Sequence, residues 1–565
     1  MFRRLVRIAF VGLTAAALAA PAAHSDAPVL AKSGMVVSEE PLATRIGVEI
    51  LHKGGNAVDA AVAVGFALAV TLPRAGNIGG GGFMVIHLAG RNEAAIDYRE
   101  TAPRTTTARS FLDDKGEVDP AKVRDSALAV GVPGTVAGLA LAHERYGSGK
   151  FTLAELMAPA IALARDGFAV DEALADTLSR AQPRLARWPS SAKIFLKDGR
   201  ALGRGDRLVQ SDLAATLEAV ARNGPKIFYE GAVADKLVAA VNAAGGTMTR
   251  DDLASYRTVP RAPVRGTYRG YDIVSMPPPT AGGALLVEML NILEGFPLGQ
   301  MKAGSVETLH LLIETMKLAY ADRAAHFGDP DQVSVPVTAL ISRRYAAARR
   351  AEIDAKQARP SRDVGAGNPA SFGTGNTTHF SIVDRDGNAV ANTYTLNFNY
   401  GLGLVAEGTG VLLNNELDDF TVKPGVPNAF GLVGGPANAP APGKRPLSSM
   451  TPTIVLKDGK PFLVTGSPGG SRIINAVLQV IVNAIDFRMN AADAVNAPRV
   501  HHQWLPDEAI VEPGVPPDTV RALEARGHQI AQQRRIGAAG TILVTPEGLA
   551  GAADPRMPGG LAAGY

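Results

Sequence analysis

The feature that most constrains the fold is a pair of predicted β-hairpins in the C-terminal part of the chain. The first joins TTHFSIVD, residues 377–384, to NAVANTYTLN, residues 388–397, through a turn at Asp386-Gly387. The second is PTIVLKDGKPFLVTG, residues 452–466, which turns at Asp458-Gly459. Each hairpin places two antiparallel strands side by side, and the candidate site residues lie at its open end.

The register of the first hairpin decides which residue faces Thr377. A three-residue loop, Arg385 to Gly387, places Thr377 opposite Thr395, whereas a two-residue loop places it opposite Leu396. In both registers Thr377, Thr395 and Asn397 lie at the same end of the hairpin.

The second hairpin brings the segments PLSSM and GSPGGSR together. Its open ends carry Ser448 and Ser449 on one side and residues 466–470 on the other. GSPGGSR then opens a predicted helix over residues 473–485. A glycine-rich turn at a helix N-terminus directs backbone N–H groups into one concavity, which suits an anion.

Three apolar segments are predicted to be helices: residues 41–53, which end at Gly54-Gly55, residues 57–72 and residues 309–327. Residues 57–72 are too short for a membrane span and indicate a buried helix. Another glycine run, GNIGGGGF at residues 76–83, lacks the Lys-Ser/Thr of a P-loop and is interpreted as a close-packed turn into a strand over residues 83–87.

Residues 358–376 differ in composition from the rest of the chain. They are rich in Gly, Pro, Ser and Asn and have few large apolar side chains. This composition predicts an exposed, mobile linker, and the linker ends directly before Thr377.

The N-terminus has the order of a secretory signal peptide. Arg3, Arg4 and Arg7 precede an apolar run, residues 8–20, and small residues follow. We predict a signal peptide over residues 1–25, a mature start between about residues 23 and 26, and a periplasmic or secreted location. An uncleaved anchor is the alternative, although the apolar run is short for a span.

Composition excludes several kinds of chemistry. The chain has no cysteine, which rules out disulfides, a thiol nucleophile and Cys-ligated metals. Its 57 basic and 54 acidic residues give a net charge of +3, and the absence of a long basic stripe argues against nucleic-acid binding. His379, His501 and His502 lack metal-ligand spacing and are interpreted as structural, so we expect no metal and no cofactor.

Thr377 stands where the predicted linker meets a strand, and cleavage there would create a nucleophile. Its hydroxyl could attack the carbonyl of Asn376 and form an ester that water hydrolyses. The new α-amino group could then take the proton from the same hydroxyl, so that one residue supplies nucleophile and base. From the residue pattern alone, Thr377 could equally be an ordinary strand residue.

Nine stretches resemble the γ-glutamyltranspeptidase family, in the family's order and over nearly the whole mature chain. They are DYRETAP (97–103), PPPTAGG (277–283), TTHFSIVD (377–384), TYTLN (393–397), NNELDDF (414–420), KRPLSSMTPT (444–453), GSPGGSRI (466–473), NAPRVHHQWLPD (496–507) and the terminal ADPR…GY. The resemblance implies an α+β fold, the four-layer αββα N-terminal-nucleophile hydrolase sandwich with two stacked β-sheets.

The resemblance also implies catalytic roles. Thr377 becomes the N-terminal nucleophile after cleavage between Asn376 and Thr377, and Thr395 supplies the neighbouring hydroxyl that hydrogen-bonds to it. Gly469 and Gly470 hold the oxyanion position, where backbone N–H groups stabilise the tetrahedral intermediate.

The implied substrate-binding residues carry charges complementary to a γ-glutamyl group, which has an α-carboxylate and an α-ammonium. The carboxylate is received by an arginine and two hydroxyls. An arginine suits this role because its planar guanidinium can donate two parallel hydrogen bonds to one carboxylate. The ammonium is received by an amide and two carboxylates. These residues are Arg99, Ser448 and Ser449 for the carboxylate and Asn397, Glu416 and Asp419 for the ammonium.

One segment separates the family's subtypes. Asn428 to Gly435, NAFGLVGG, resembles the lid over the glutamyl pocket of many bacterial members, which cephalosporin acylases of the family lack. Phe430 stands where some bacterial members have tyrosine, and Glu416 where some have glutamine. The lid favours a transpeptidase over the main alternative, a glutaryl or cephalosporin-type acylase. A non-enzymatic secreted binding protein is the second alternative.

The expected product is a heterodimer. After removal of residues 1–25, self-cleavage would leave a large subunit of residues 26–376 and a small subunit of residues 377–565, without a stable membrane span. The expected partners are glutathione and other γ-glutamyl compounds as donors, and water, amino acids or peptides as acceptors. No nucleic-acid partner is expected.

Overall fold

The fold is built on two seven-stranded antiparallel sheets. The computed structural model describes residues 27–91, 93–366, 378–532 and 535–565. The predicted signal peptide, Asn376 and Thr377 therefore lie outside the described residues. The strands of the two sheets are β1 Val29–Ala31, β2 Met35–Ser38, β3 Gly81–His87, β4 Ala94–Tyr98, β5 Val259–Arg261, β6 Val264–Tyr268, β7 Tyr271–Ser275, β8 Thr378–Val383, β9 Ala389–Thr395, β10 Thr453–Lys457, β11 Lys460–Gly466, β12 Gly540–Thr545, β13 Gly548–Ala553 and β14 Leu561–Gly564.

The order of the strands places the two predicted hairpins at the centres of different sheets. The first sheet runs β1-β13-β12-β11-β10-β7-β6, and the second runs β14-β2-β8-β9-β3-β4-β5. Both sheets therefore combine strands from the N-terminal and C-terminal parts of the chain.

Helices cover the outer faces of both sheets. Those of eight residues or more are α1 Pro41–His52, α2 Ala57–Thr71, α3 Thr135–Tyr146, α4 Leu153–Asp166, α5 Glu172–Leu185, α6 Ser211–Asn223, α7 Ala232–Ala243, α8 Gly282–Leu293, α9 Val306–His326, α10 Arg343–Arg350, α11 Ile473–Ile485 and α12 Pro517–Ala525.

The layers stack as helix, sheet, sheet, helix. Helices α1, α2 and α3 pack on the second sheet, and α8 and α11 pack on the first, with α9 against α8. The two sheets pack face to face through β8 and β9 against β11. One apolar core fills the space beneath α1 and α2, and a second runs from between the sheets to α8 and α11. The predicted four-layer αββα sandwich is confirmed.

The register of the first hairpin is that of the three-residue loop. Thr378 pairs with Tyr394 and Val383 with Ala389. Side chains alternate along β9: Val390 and Tyr394 join the core beneath α2, whereas Ala391 joins the core between the sheets.

The second hairpin turns at the predicted position. Lys457 pairs with Lys460, and Asp458 and Gly459 both have positive φ, at 51° and 73°. Two positive φ angles are typical of the tight turns that match the twist of hairpin strands.

Helix starts follow capping chemistry that apolar spacing alone does not reveal. Helix α9 begins at Val306, before the predicted residue 309, because the Ser305 side chain accepts a hydrogen bond from the N–H of Thr308. Helix α2 begins with a capping box between Asn56 and Asp59 and is buried along its whole length, as predicted. Among the described residues, none of the helices combines the length and the apolar character of a membrane span.

The prediction of an exposed linker holds only in part for residues 358–366. Pro360, Arg362, Asp363 and Gly365 are exposed, whereas every third residue, Ala358, Ser361 and Val364, is buried. Ser361 is fully buried and donates to Asp507 through both its N–H and its hydroxyl, at 2.8 and 2.6 Å. Trp504 Nε1 donates to the carbonyls of Ser361 and Val364. Polar composition was misleading here because backbone groups of this segment find partners in the NAPRVHHQWLPD motif. Residues 367–376 of the predicted linker lie outside the described residues.

Candidate active site

Arg99 follows β4 directly and is completely buried. Its Nε donates to the carbonyl of Pro446 at 3.1 Å, Nη1 donates to Glu416 and Nη2 donates to Asp419. The arginine therefore ties the end of β4 to two segments more than 300 positions away in sequence, and its charge is matched by two carboxylates.

The two carboxylates belong to a single turn of 3₁₀-helix, Glu416–Asp419. Asn414 holds the start of this turn, since its Oδ1 accepts from the N–H of Glu416 at 3.0 Å and its Nδ2 donates to the carbonyl of Gly79 at 2.8 Å. Asn438 holds the end by donating to the carbonyl of Asp419 at 2.7 Å. Side-chain amides thus position both acids.

The end of β9 contributes Thr395 and Asn397. The hydroxyl of Thr395 accepts from the N–H of Asn397 at 2.8 Å, and Asn397 has a φ of 75°. A positive φ outside glycine is uncommon but is tolerated best by asparagine and aspartate. Asn397 Nδ2 donates to the carbonyl of Asn415 at 2.9 Å, which leaves its Oδ1 as a potential acceptor.

Several buried oxygen atoms in this region have no hydrogen-bond partner. They include Asn397 Oδ1, Glu416 Oε2 and Asp419 Oδ1, and also both carboxylate oxygens of Glu100 and Asp418 Oδ2. Buried polar atoms are almost always hydrogen-bonded, because an unpaired one costs about 1–3 kcal/mol. An ammonium group has three donors and no acceptor. The oxygens of Asn397, Glu416 and Asp419 are therefore candidate acceptors for a primary ammonium.

Burial is the main cause of the pKa shifts of the carboxyl groups in this site. Burial raises the pKa of Glu100 well above its ordinary value, and the nearby Glu416 raises it further against the opposing effect of Arg99. Burial likewise raises the pKa of Asp419 and of Glu416, although Arg99 opposes the shift in both cases. Three carboxyl groups share one arginine, so a further cation is favoured here.

Ser448 and Ser449 lie beside the PPPTAGG segment. The N–H of Ser448 donates to the carbonyl of Pro279 at 2.8 Å, and the N–H of Ala281 donates back to the carbonyl of Ser448 at 2.9 Å. Ser449 Oγ accepts from Arg323 Nη2 at 2.6 Å. Both serines are buried, and their segment also provides the Pro446 carbonyl that Arg99 contacts.

Gly469 and Gly470 form a tight turn between β11 and α11. Their φ angles are 135° and 63°, which strongly favour glycine at both positions. Helix α9 supports this turn, because the Tyr320 hydroxyl donates to the carbonyl of Ser471. The predicted glycine turn at the start of a helix over residues 473–485 is confirmed.

The predicted nucleophile, Thr377, is adjacent in sequence to the first residue of β8, Thr378, which is fully buried. The three histidines have structural partners. His379 contacts Thr393 and Ser381 at 2.8 and 2.9 Å. Burial lowers the pKa of His379 and of His501 to about 3, so both rings are neutral.

His501 and His502 form part of the network at the NAPRVHHQWLPD motif. His501 Nδ1 lies 2.7 Å from Asn475 Nδ2, and His502 Nδ1 accepts from the N–H of Trp504 at 3.0 Å. Within the described part of the chain, no cluster of His, Asp and Glu residues has the arrangement of a metal site.

The segment predicted to be a lid forms a compact loop. Pro427 bridges to Val433, and Phe430 stacks on Phe398 with ring centroids 4.8 Å apart and an angle of 11° between the rings. Phe398 is adjacent to Asn397, and the carbonyl of Phe430 accepts from Gln503 Nε2 at 3.2 Å. Aromatic stacking thus holds this loop against the end of β9.

Sequence reasoning missed three side chains of this region. Glu100 is fully buried beside Arg99, and neither of its carboxylate oxygens has a hydrogen-bond partner. Arg323 and Tyr320 lie on α9 and contact Ser449 and Ser471. For Glu100 the available signal was its position next to Arg99 in the DYRETAP stretch.

Comparison with known proteins identifies the family of this chain. The sequence profile of the Gamma-glutamyltranspeptidase family matches residues 43–564. The chain is 53% identical to a "Glutathione hydrolase proenzyme" of Escherichia coli K12, over 95% of this chain and 93% of that protein. It is 40% identical to "Acylase ACY 1 proenzyme" of Pseudomonas sp. strain SE83, over 94% of each protein.

Solved structures agree with the sequence comparisons. A cephalosporin acylase from Bacillus halodurans is similar with a TM-score of 0.85 and 32% identity, over 98% of this chain and 99% of that chain. A γ-glutamyltranspeptidase chain from Helicobacter pylori is similar with a TM-score of 0.58 and 45% identity, over 60% of this chain and 95% of that chain. From its profile match and its relatives, this chain belongs to the gamma-glutamyltranspeptidase family.

Proposed function

We propose that this chain matures by self-cleavage into a γ-glutamyltranspeptidase and glutathione hydrolase with Thr377 as its nucleophile. The enzyme transfers the γ-glutamyl group of glutathione, or of another γ-glutamyl amide, to water or to the amine of an amino acid or peptide. The observation that carries the proposal is that Asn397, Glu416 and Asp419 each keep a buried oxygen without a hydrogen-bond partner, while Arg99 holds the other oxygens of the two acids.

The unpaired oxygens of Asn397, Glu416 and Asp419 support recognition of an α-amino acid. An ammonium placed among the three oxygens would supply the missing donors and would offset the excess of carboxyl groups over arginine. Arg99 has five N–H donors, of which three are used by Pro446, Glu416 and Asp419. Its remaining donors and the hydroxyls of Ser448 and Ser449 would receive the α-carboxylate.

Maturation would use the hydroxyl of Thr377. The hydroxyl oxygen attacks the carbonyl carbon of Asn376, the C–N bond breaks, and the proton goes to the departing amine. Water hydrolyses the resulting ester, which restores the hydroxyl and leaves a free α-amino group on Thr377. In its neutral form that amine is the base for the reaction with substrate.

Turnover would repeat the same chemistry on the donor. The α-amine of Thr377 takes the proton from its hydroxyl, and the oxygen attacks the γ-carbonyl. Backbone N–H groups of Gly469 and Gly470 stabilise the oxyanion, and Thr395 orients the nucleophile. The proton goes to the leaving amine, which leaves a γ-glutamyl ester on Thr377. Water or an acceptor amine then attacks the ester carbonyl and releases the product.

The proposed products are a large subunit of residues 26–376 and a small subunit of residues 377–565, held together as a heterodimer. Both sheets contain strands from both segments, so the cleaved chains would share their cores. The large subunit would make up 351 of the 565 residues. A signal peptide over residues 1–25 would direct the protein to the periplasm or outside the cell.

An acylase of the same family is the competing function, since acylases are among the relatives. A glutaryl group resembles a γ-glutamyl group without its ammonium. It would leave the oxygens of Asn397, Glu416 and Asp419 buried and unpaired, which disfavours its binding.

The test compares three donors that differ by one charged group. A γ-glutamyl anilide carries both charges, a glutaryl anilide lacks the ammonium, and a γ-aminobutyryl anilide lacks the carboxylate. We expect kcat/KM to be higher for the γ-glutamyl donor than for the glutaryl donor by at least about thirtyfold, because a buried charge pair is lost. A wild-type preference for the glutaryl donor would overturn the proposal in favour of the acylase.

A further inference from the structure

Three arginines gather around one aspartate near the candidate active site. Arg124 donates to Asp125 Oδ2 through Nε and Nη2 at 3.0 and 2.8 Å, and Arg184 Nη2 donates to Asp125 Oδ1 at 3.2 Å. Arg187 Nη2 donates to the carbonyl of Asp125 at 3.1 Å. Within the described residues, Asp125 is the only carboxylate that forms an ion pair with any of the three arginines. Three cations therefore share one acid, and the three arginines are called the basic cluster below.

The basic cluster lies at the end of β9, where the candidate site residues begin. Phe398 follows Asn397 directly, and the guanidinium carbons of Arg124 and Arg184 lie 5.9 and 5.8 Å from the centroid of the Phe398 ring. Asn415, the residue before the turn of the two candidate acids, contacts both parts. Its Nδ2 donates to the carbonyl of Arg124 at 2.9 Å, and its Oδ1 accepts from the N–H of Phe398 at 3.3 Å. The segments that carry the candidate ammonium acceptors thus also contact the basic cluster.

The basic cluster has an excess of positive charge. Burial lowers the pKa of Arg184 below its ordinary value, Asp125 opposes this shift, and the charges of Arg124 and Arg187 add to it. Asp418 is a second acid near Arg124, but burial raises the pKa of Asp418 to about 7, so this group is only partly ionised at neutral pH. A bound anion would relieve the repulsion among the arginines.

The arginines are also accessible to a ligand. The side chains of Arg124 and Arg184 are 40% and 24% exposed, and Arg187 is exposed. Arg184 Nη1 donates to the carbonyl of Gly401, so part of this residue has a structural role. A structural contact with Asp125 needs only one cation, however, and does not account for the other two. Guanidinium groups are well suited to bind carboxylates through paired hydrogen bonds.

The proposed reaction involves a carboxylate besides the one on the γ-glutamyl group. In glutathione, the amine that leaves in the first step belongs to a dipeptide that ends in a carboxylate. An amino acid or peptide acceptor has a carboxylate as well. Attack of the acceptor amine on the ester is the reverse of the departure of the leaving amine, so both amines occupy the same position by microscopic reversibility. Leaving and accepting peptides therefore present their carboxylates to the same part of the enzyme.

We propose that the basic cluster binds the carboxylate of the amino acid or peptide whose amine leaves or attacks the γ-glutamyl group. Arg124 and Arg184, beside the ring of Phe398, are the main contacts. The proposal rests on the proposed function and deepens it by naming the class of acceptor, an amine that carries a carboxylate.

The experiment compares two acceptors that differ only in the carboxylate. The γ-glutamyl anilide is the donor, because its leaving group has no carboxylate, and the acceptor is glycylglycine or glycylglycine amide. The ratio of kcat/KM for glycylglycine to kcat/KM for the amide is measured for purified, processed wild type, Arg124→Gln and Arg184→Gln. Each substitution should lower this ratio by about two- to fivefold, as expected for a partly exposed charge pair, and the double variant should lower it further. Arg184→Lys should lower it less, since lysine keeps the charge.

Arg180→Gln is the matched control. Arg180 lies one turn before Arg184 on α5, is 71% exposed, and pairs with Asp176. Its substitution removes the same charge from the same helix and should leave the ratio unchanged. Higher ionic strength should lower the wild-type ratio, because salt screens partly exposed charges, and it should have less effect on the double variant.

A second arm distinguishes the two sources of the carboxylate. Hydrolysis of glutathione is compared with hydrolysis of glutathione whose glycine carboxylate is converted to an amide. If the leaving peptide binds the basic cluster, the ratio of kcat/KM for these two donors should fall in the same variants by a similar factor. A fall in one arm alone would assign the cluster to the leaving peptide or to the acceptor.

Two outcomes would overturn the proposal: unchanged ratios in both arms, or an equal fall for the charged and the amidated substrates. If Arg184→Gln does not mature, Arg124→Gln and Arg184→Lys decide through the same ratios. Failure of the proposed function is distinguishable, since wild type itself would then prefer the glutaryl anilide as donor.

Discussion

Arg99 Nη2 donates to Asp419 Oδ2 in a fully buried contact between residues 320 positions apart in sequence. The same guanidinium holds Glu416 through Nη1. One arginine therefore fixes two carboxylates so that one oxygen of each is left without a donor. In the proposed function these two oxygens accept from the substrate ammonium, so substitutions of Asp419 and of Arg99 test different parts of the proposal.

Asp419→Ala tests the ammonium site. The variant should lower kcat/KM for a γ-glutamyl anilide by roughly thirtyfold to several thousandfold, because the ammonium loses a buried charged partner. It should also lower the ratio of kcat/KM for the γ-glutamyl anilide to kcat/KM for the glutaryl anilide. Cleavage of the precursor should be affected far less, since that reaction uses the chain's own peptide. Electrophoresis and donor kinetics on the same preparation check both statements, and an unchanged donor preference would contradict them.

Arg99→Lys tests the role of the planar guanidinium. A lysine ammonium cannot donate to Pro446, Glu416 and Asp419 in their present positions, so the two acids should lose their fixed arrangement. We expect lower kcat/KM for every γ-glutamyl donor and a lower thermal midpoint, because breaking a buried charge network costs about 3–5 kcal/mol. Activity and stability equal to wild type would show that the fork geometry is unimportant.

Substitutions in the stack of Phe430 on Phe398 test whether this loop acts as a lid over the site. Aromatic pairs of this geometry contribute about 0.5–1.5 kcal/mol beyond burial. Phe430→Ala should raise KM for donors several-fold with a smaller change in kcat, whereas Phe430→Tyr should keep the stack and the wild-type KM. A double-mutant cycle with Phe398→Ala measures the coupling directly. Strict additivity of the two alanine substitutions would contradict a latch formed by this pair.

The raised pKa of Asp418 predicts that the stability of the fold depends on pH. Burial raises the pKa of Asp418 to about 7, above its value of about 3.9 in the unfolded chain. The folded state therefore holds a proton that the unfolded state has lost between these values, and the stabilisation present below about pH 4 is lost as the pH rises through 7. Asp418→Asn should make the thermal midpoint fall less between pH 5 and pH 8 than it does in wild type. An equal fall in both proteins would contradict the assignment.

The hairpins and the position of most site residues were predictable because they depend on local signals. Asp386-Gly387 and Asp458-Gly459 have turn preferences that fix two strand pairs, and the register then aligns the ends of those strands. The residues around Arg99 and Glu416 were predictable because they lie in stretches that resemble motifs of the family. Helix α11 was predicted with its observed bounds because its apolar run starts directly after a glycine turn.

What the sequence did not reveal depends on tertiary contacts. Residues 358–366 have the composition of a linker, yet Ser361 is buried because Asp507 supplies its partners from 146 positions away. Arg323 looks like a solvated charge in sequence, and only the fold shows that it is buried against Ser449. The contact of Arg99 with both acids also requires two loops to meet, which no spacing within either motif predicts.

The central claim is that Thr377 cuts the chain and then acts as the nucleophile, and fragment mass with N-terminal sequencing tests it most directly. Wild type should resolve into a fragment ending at Asn376 and one of 565 − 376 = 189 residues that begins Thr-Thr-His. Thr377→Ala should remain a single inactive chain. Efficient cleavage of Thr377→Ala at the same bond, or full activity of an uncut wild-type chain, would contradict the account.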